Sequence, residues 1–212
     1  MLQNRGVNDL NGMEKPVNSW KTLKPQTRCA VISYAQGYPQ VFCNFADEIK
    51  KSLKMRKLTV EDMHRIDVAT FKQAQKLPLI MVLDNVRSLH NVGSVLRTAD
   101  AFRIEAVYMC GITATPPSAE IHKTALGAED SVAWQYFEDT LQAVEKLKTE
   151  GYTVLAVEQV EGSLKLGDFA FEPQKKYALV MGNEVKGVRQ DVVDACHQAL
   201  EIPQYGTKHS MN

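Results

Sequence analysis

Leu79-Ile80-Met81-Val82-Leu83 is a run of five apolar residues without a polar break. A strand wetted on one face alternates apolar and polar residues, so an unbroken run predicts a strand buried on both faces. Such a strand needs a helical layer on each side, and the chain supplies helices at the right intervals. Residues 91–102 read as a helix with Val92, Val95, Leu96, Ala99 and Phe102 on one side. A strand follows over 106–110, then a short helix over 119–126 closed by Gly127. An amphipathic helix over 140–150 ends at Gly151, and strands are expected at 152–157 and 177–181. A helix over 188–197 and a strand over 199–202 complete the pattern. Strands alternating with helices predict an α/β fold, a parallel sheet with helices on both faces. No internal repeat is visible.

The first 54 residues follow another pattern. Asn, Gly, Pro and Lys recur through 1–26, and only 29–34 has the composition of a strand. We read 1–54 as a poorly structured N-terminal extension and 55–212 as the folded domain. The change comes at Met55, after which Thr59 and Asp62 have the spacing of a capping box. Leu58 and Met63 are placed to staple it, and Asp67 to cap a helix over 68–76 that Pro78 ends.

Charge and cysteine content narrow the function classes. Formal net charge is zero and the pI about 7.0, so no global basic field attracts nucleic acid, although a local patch can lie within a neutral total. Lys123, Lys186, Arg189 and Lys208 are candidates for such a rim. Cys29, Cys43, Cys110 and Cys196 show no CxxC spacing, and the five histidines form no ligand pair, so no metal site is expected. Reduced, buried thiols suit a cytoplasmic protein. The apolar runs fall short of the ~20 residues that span a bilayer, and no secretory signal opens the chain. Trp134 and the tyrosines form no stacking platform for single-stranded RNA.

Two polar, glycine-bearing segments begin where strands end, the place where parallel sheets hold ligands. One is 91–102; the other is Gly182-Asn183-Glu184-Val185-Lys186-Gly187, followed by Ile202-Pro203 and Ser210-Met211-Asn212. The GxxxxG spacing is that of a phosphate loop, but Val188-Arg189 stands where Lys and Ser or Thr would be required. There is no G-x-G-x-x-G either. The glycines on their own read as a tight strand-to-helix turn. Glu184, a carboxylate at the sheet edge, does not follow from that. Nor does Arg97, which is six residues after Asn91 and so about 120° around the helix from it. Flanked by Leu96, Ala99 and Phe102, its guanidinium suits phosphate or ribose oxygens.

Taken together, these segments resemble the three motifs of the SpoU/TrmH branch of the SPOUT RNA methyltransferases. Residues 91–102 are similar to the first (N-x-G-x-x-x-R-T-x-x-x-F), 182–187 to the second, and 202–203 with 210–212 to the third. The resemblance covers 55–212 and implies a parallel α/β fold with a C-terminal trefoil knot, usually in a homodimer. It implies transfer of a methyl group from S-adenosylmethionine to a ribose 2′-hydroxyl of tRNA or rRNA. By the same resemblance Gly182, Ile202, Met211 and Val157 would hold the cofactor. Arg97, Asn91, Glu184, Ser210 and Asn212 would form the catalytic pocket, with Arg97 at the target ribose. A guanidinium with a pKa above 12 is a poor base, so its expected role is positioning and stabilisation of developing negative charge.

In the family the third motif runs on into a long helix that packs in the knot and the dimer interface, whereas Asn212 is the last residue here. This raises a second reading: a methyltransferase-like RNA-binding protein, or fragment, without turnover. A generic nucleotide-binding α/β protein is disfavoured by the missing phosphate lysine.

Overall fold

Seven strands form one sheet in a computed structural model that describes residues 55–207. The expected strand at 29–34 and residues 208–212 lie outside the described residues. The chain divides into two units, Met1–Met63 and His64–Asn212. In the first, the capping box forms around a 3-10 turn, Glu61–Met63. The Thr59 amide donates to Asp62 at 2.8 Å and the Asp62 amide to Thr59 Oγ1 at 3.3 Å. Arg56 pairs with the same carboxylate and, with the Thr59 bonds, holds its pKa down at about 2.

In the second unit, Asp67 accepts from the Thr70 amide at 2.7 Å and so caps α1, Val68–Gln73. The expected helix reached residue 76. It stops earlier because Ala74 turns extended (φ −66°, ψ 150°), and Leu77 joins a strand by donating to the Arg103 carbonyl. That strand, β1 (Leu77–Asp84), lies between two parallel neighbours. In chain order the elements that follow are α2 (Leu89–Ala101), β2 (Ile104–Cys110), α3 (Ala119–Ala125) and α4 (Ala128–Ser131). Next come β3 (Ala133–Phe137), α5 (Thr140–Thr149), β4 (Tyr152–Val157) and β5 (Leu164–Lys165). The last are β6 (Lys176–Met181), α6 (Gln190–Ala195) and β7 (Gln198–Glu201). The strand order is β3-β2-β1-β6-β4-β7-β5, with every neighbouring pair parallel.

Both sheet faces are covered, as the unbroken apolar runs require. On one face Ala143, Val144 and Leu147 of α5 and Val192 of α6 pack on Ile80, Val82, Val154 and Val180. On the other, Val92, Leu96 and Ala99 of α2 and Ile121 of α3 pack on Leu83, Val107 and Met109. Each buried Val, Leu, Ile or Met among them contributes roughly 1.5–3 kcal/mol. Gly93 lets α2 and α3 approach, since a Cβ there would strike Thr124 Oγ1 and the Ile121 carbonyl.

Phe102 departs from the expected stripe and is 68% exposed. It is the C-cap of α2 (φ −101°, ψ 4°), where the helical repeat that would turn it inward has ended. The expected helix over 188–197 shrinks to α6, because Arg189 (ψ 141°) and Cys196 (ψ 160°) are extended at its two ends. The short helix closes one residue early: Leu126 itself takes the left-handed conformation (φ 53°), and Gly127 (φ 90°) opens α4. The edge strand β3 has no apolar run to announce it, and Trp134 and Tyr136 are largely exposed. No helix among the described residues is long and apolar enough to cross a membrane.

Candidate active site

The strand order places the site. After β3 the chain crosses to the far side of β1, and β6 later enters between β1 and β4. The carboxyl ends of β1, β4, β6 and β7 therefore meet, and beyond such ends open α/β sheets bind ligands.

The loop 182–187 leaves β6 there and closes on itself. Asn183 and Gly187 exchange both backbone hydrogen bonds, at 3.0 and 2.8 Å. Inside the loop, Asn183 Oδ1 accepts the amides of Val185 (2.9 Å) and Lys186 (3.1 Å), while its Nδ2 donates to the Asn85 carbonyl (2.8 Å). Two glycines are required by geometry. A Cβ on Gly182 would meet the carbonyl carbon of Gly187 and the amide of Val188. Gly187 has φ +66°, and Glu158 Oε2 occupies the place where its Cβ would be.

Glu184 joins this loop to the first motif. Its Oε2 accepts the Arg87 amide at 3.0 Å, and Oε1 accepts the Ser88 amide and Asn91 Nδ2, each at 2.9 Å. Ser88 is the N-cap of α2, so the carboxylate sits at the positive end of that helix. Partial burial opposes its charge, yet the amides of Arg87 and Ser88, with Asn91, outweigh that and hold its pKa below the ordinary glutamate value. A depressed folded pKa contributes stability that is present above the unfolded value and lost as pH falls through the folded one. Glu184→Gln is therefore expected to cost less than about 1 kcal/mol at pH 7, given the exposure of the residue. The gap to wild type should begin to narrow near roughly pH 4.5 and go on narrowing as pH falls through the lower folded pKa. Thermal melts of both proteins from pH 7 to pH 4 check this; an unchanging gap would contradict it.

The stem of the loop is gripped by two further carboxyl groups. Asp84, at the end of β1 and 0% exposed, accepts Thr140 Oγ1 (2.6 Å) and Asn85 Nδ2 (2.8 Å) on Oδ1 and the Arg189 amide (2.9 Å) on Oδ2. Glu158, just past β4, accepts the Val188 amide at 2.8 Å and the Gln159 amide at 2.9 Å. Beside Asp84, Cys110 is buried, and that burial pushes its thiol pKa up to about 12, too high for a nucleophile at neutral pH.

A cavity of about 900 Å³ opens at this junction. Asn91, Ser94, Val95 and Thr98 of α2 line it, as do the loop 182–187 and the strand ends at Val157, Glu158, Ile202 and Gln204. Met81, Leu83 and Met181 give it an apolar floor. Asn91, Glu184, Gly182, Val157 and Ile202, five of the residues singled out from sequence, thus share one cavity. Arg97 is exposed on α2 and is not among the described residues on the cavity wall. Ser210, Met211 and Asn212 lie outside the described residues. Sequence reading passed over Asp84, Asn85 and Glu158; the available signal was a polar residue directly after each apolar strand run.

The expected basic rim is thinner than its residue count. Arg189 is bound by Asp191 (2.7 Å) and Asp139 (3.0 Å), which raise its pKa further, and Lys123 pairs with Glu120 (2.6 Å). Lys186 stays exposed, and Lys208 lies outside the described residues. Among the described residues no group of three His, Cys, Asp or Glu side chains could hold a metal ion.

Residues 78–212 match the model of the SpoU rRNA Methylase family. The chain belongs to that family. Over 135 residues it is 31% identical to the 23S rRNA (guanosine-2′-O-)-methyltransferase RlmB of Neisseria meningitidis, covering 64% of this chain and 53% of that protein. The A. aeolicus TrmH/SpoU tRNA modifying enzyme superposes with a TM-score of 0.59 at 25% identity, over 68% of this chain and 72% of the other. The AdoMet-bound rRNA methyltransferase from Sinorhizobium meliloti gives 0.60 at 26% identity, over 67% and 54%. This SpoU-family chain spans about half the length of the curated relatives it matches.

Proposed function

We propose that the chain binds S-adenosylmethionine in the cavity at the carboxyl ends of β4, β6 and β7 and transfers its methyl group to a ribose 2′-hydroxyl of RNA. The observation that carries this is the joint made by Glu184, which locks the glycine loop of the second motif onto the helix of the first. The residues fit the cofactor. A volume of about 900 Å³ lies within the ~300–1,000 Å³ usual for such ligands, with apolar walls and a polar, backbone-rich rim. Gly182, Val157 and Ile202 would hold the adenosine, and Met211 would join them. Bound there, the cofactor supplies an electrophilic sulfonium methyl.

The chain's own work is positioning. Methyl transfer needs an oxygen in line with the methyl and little else. Asn91, fixed by Glu184, orients the ribose; Ser210 and Asn212 complete the pocket; Arg97 binds the sugar and phosphate and stabilises developing charge on the oxygen. The trefoil knot, a homodimer and a cytoplasmic location belong to this proposal, as does rRNA as the target. The rRNA methyltransferase relatives support that target over tRNA.

Incubation of the full chain with methyl-labelled cofactor and bulk rRNA tests the reaction. Label resistant to alkaline cleavage at the ribose is expected; unlabelled RNA in the presence of bound cofactor would overturn turnover. Arg97 is exposed on α2, between Val95 and Thr98, which line the cavity. Its position gives a distinct expectation. Arg97→Lys should lose roughly 10²–10³-fold in turnover, by analogy with loss of one charge-stabilising donor, while cofactor affinity holds. Near-full turnover in that variant would remove Arg97 from the catalytic set.

A further inference from the structure

The two amides that lead out of the glycine loop go to carboxyl groups on different strand ends: Val188 to Glu158 and Arg189 to Asp84. The two acceptors are not equivalent. Asp84 is fully buried and spends its oxygens on three donors within the protein. Glu158 is half-buried and lines the cavity beside Val157 and Gly187. Each of its oxygens takes one amide among the described residues, at 2.8 and 2.9 Å. A carboxylate offers about four acceptor positions, so roughly two remain on Glu158. An acceptor-only group on a cavity wall calls for a ligand that brings donors. In dinucleotide-binding α/β folds, too, a carboxylate near the strand ends receives a ribose hydroxyl.

We propose that Glu158 is the residue that reads the cofactor's sugar, accepting hydrogen bonds from its ribose hydroxyls while holding the exit of the glycine loop. The assignment rests on the cofactor reading above. It makes Glu158 a specificity-determining residue, since it would discriminate a ribose from a sugar without hydroxyls. A charge-assisted hydrogen bond to such a group corresponds to roughly a ten- to hundred-fold difference in affinity.

Calorimetric titration of the full chain with S-adenosylhomocysteine and with its 2′,3′-dideoxyribose analogue tests this. Wild type is expected to prefer the ribose ligand by that factor. Glu158→Gln keeps the size of the side chain and one oxygen for the Val188 amide, and should bring the preference close to unity. Asp84→Asn, which disturbs the same loop from outside the cavity, should weaken both ligands alike and leave the preference intact. Circular dichroism of each variant checks that it is folded. If Glu158→Gln weakens both ligands equally with the preference kept, or if wild type shows no preference, Glu158 serves the loop alone and the proposal is overturned. If wild type binds neither ligand, the cofactor reading itself fails, and this assignment goes with it.

Discussion

Gly182→Ala is expected to abolish cofactor binding and to lower stability by about 4–6 kcal/mol. The added Cβ would strike the Gly187 carbonyl carbon and the Val188 amide, which are backbone and cannot rotate aside. Relief requires the loop to open, and that breaks the paired Asn183–Gly187 bonds and the Val188–Glu158 bond. Overpacking alone costs about 1–3 kcal/mol, and each lost hydrogen bond adds about 1 kcal/mol. For a chain of this size the melting temperature should fall by roughly 8–24 °C. Gly167→Ala is the control: nothing lies within 4 Å of the Cβ built there, so neither stability nor binding should move. A Gly182→Ala protein that melts like wild type and binds normally would show that the close approach of the two loop ends is not required.

Asp84→Ala should be as damaging by a different route. Its carboxyl group is fully buried and receives Thr140 Oγ1, Asn85 Nδ2 and the Arg189 amide. Truncation leaves these donors without their acceptor in a space that water reaches poorly. Each buried, unsatisfied donor costs about 1–3 kcal/mol, so a loss of 3 kcal/mol or more is expected. Asp84→Asn retains one accepting oxygen but turns an NH2 toward a donor, and should fall between wild type and Asp84→Ala. Chemical denaturation curves of the three proteins check the order. Equal midpoints for Asp84→Ala and wild type would mean that the network does not hold the start of α5 and α6.

How far the sequence announced this arrangement depends on the range of the interaction. The strands at β1, β4 and β6 were legible because burial on both faces leaves an unbroken apolar run, a local signal. Asp67 as a cap was legible because its partner is three residues away. The strand β3 was not, since an edge strand with Trp134 and Tyr136 largely exposed needs no apolar run. Phe102 misled because helical periodicity does not reveal where the helix stops. In the site, Asn91, Gly182, Glu184 and Ile202 were found through motif resemblance rather than residue physics. The partner of Glu184 lies 97 residues away at the Arg87 amide, a distance no spacing rule reaches. Asp84 and Glu158 went unnoticed because a lone acidic residue after a strand reads as a solvated turn. Only the fold reveals that each receives an amide from the loop that follows β6. Arg97 was singled out by its type and its place in the motif, and it is exposed on α2.

Calorimetric titration of S-adenosylmethionine into the full 212-residue chain, with Gly182→Ala as comparison, addresses the central claim directly. Saturable one-site binding by the wild type, lost in Gly182→Ala, is the result expected if the cavity at the strand ends is the cofactor site. Absence of binding by the wild type, or equal binding by both proteins, would contradict it.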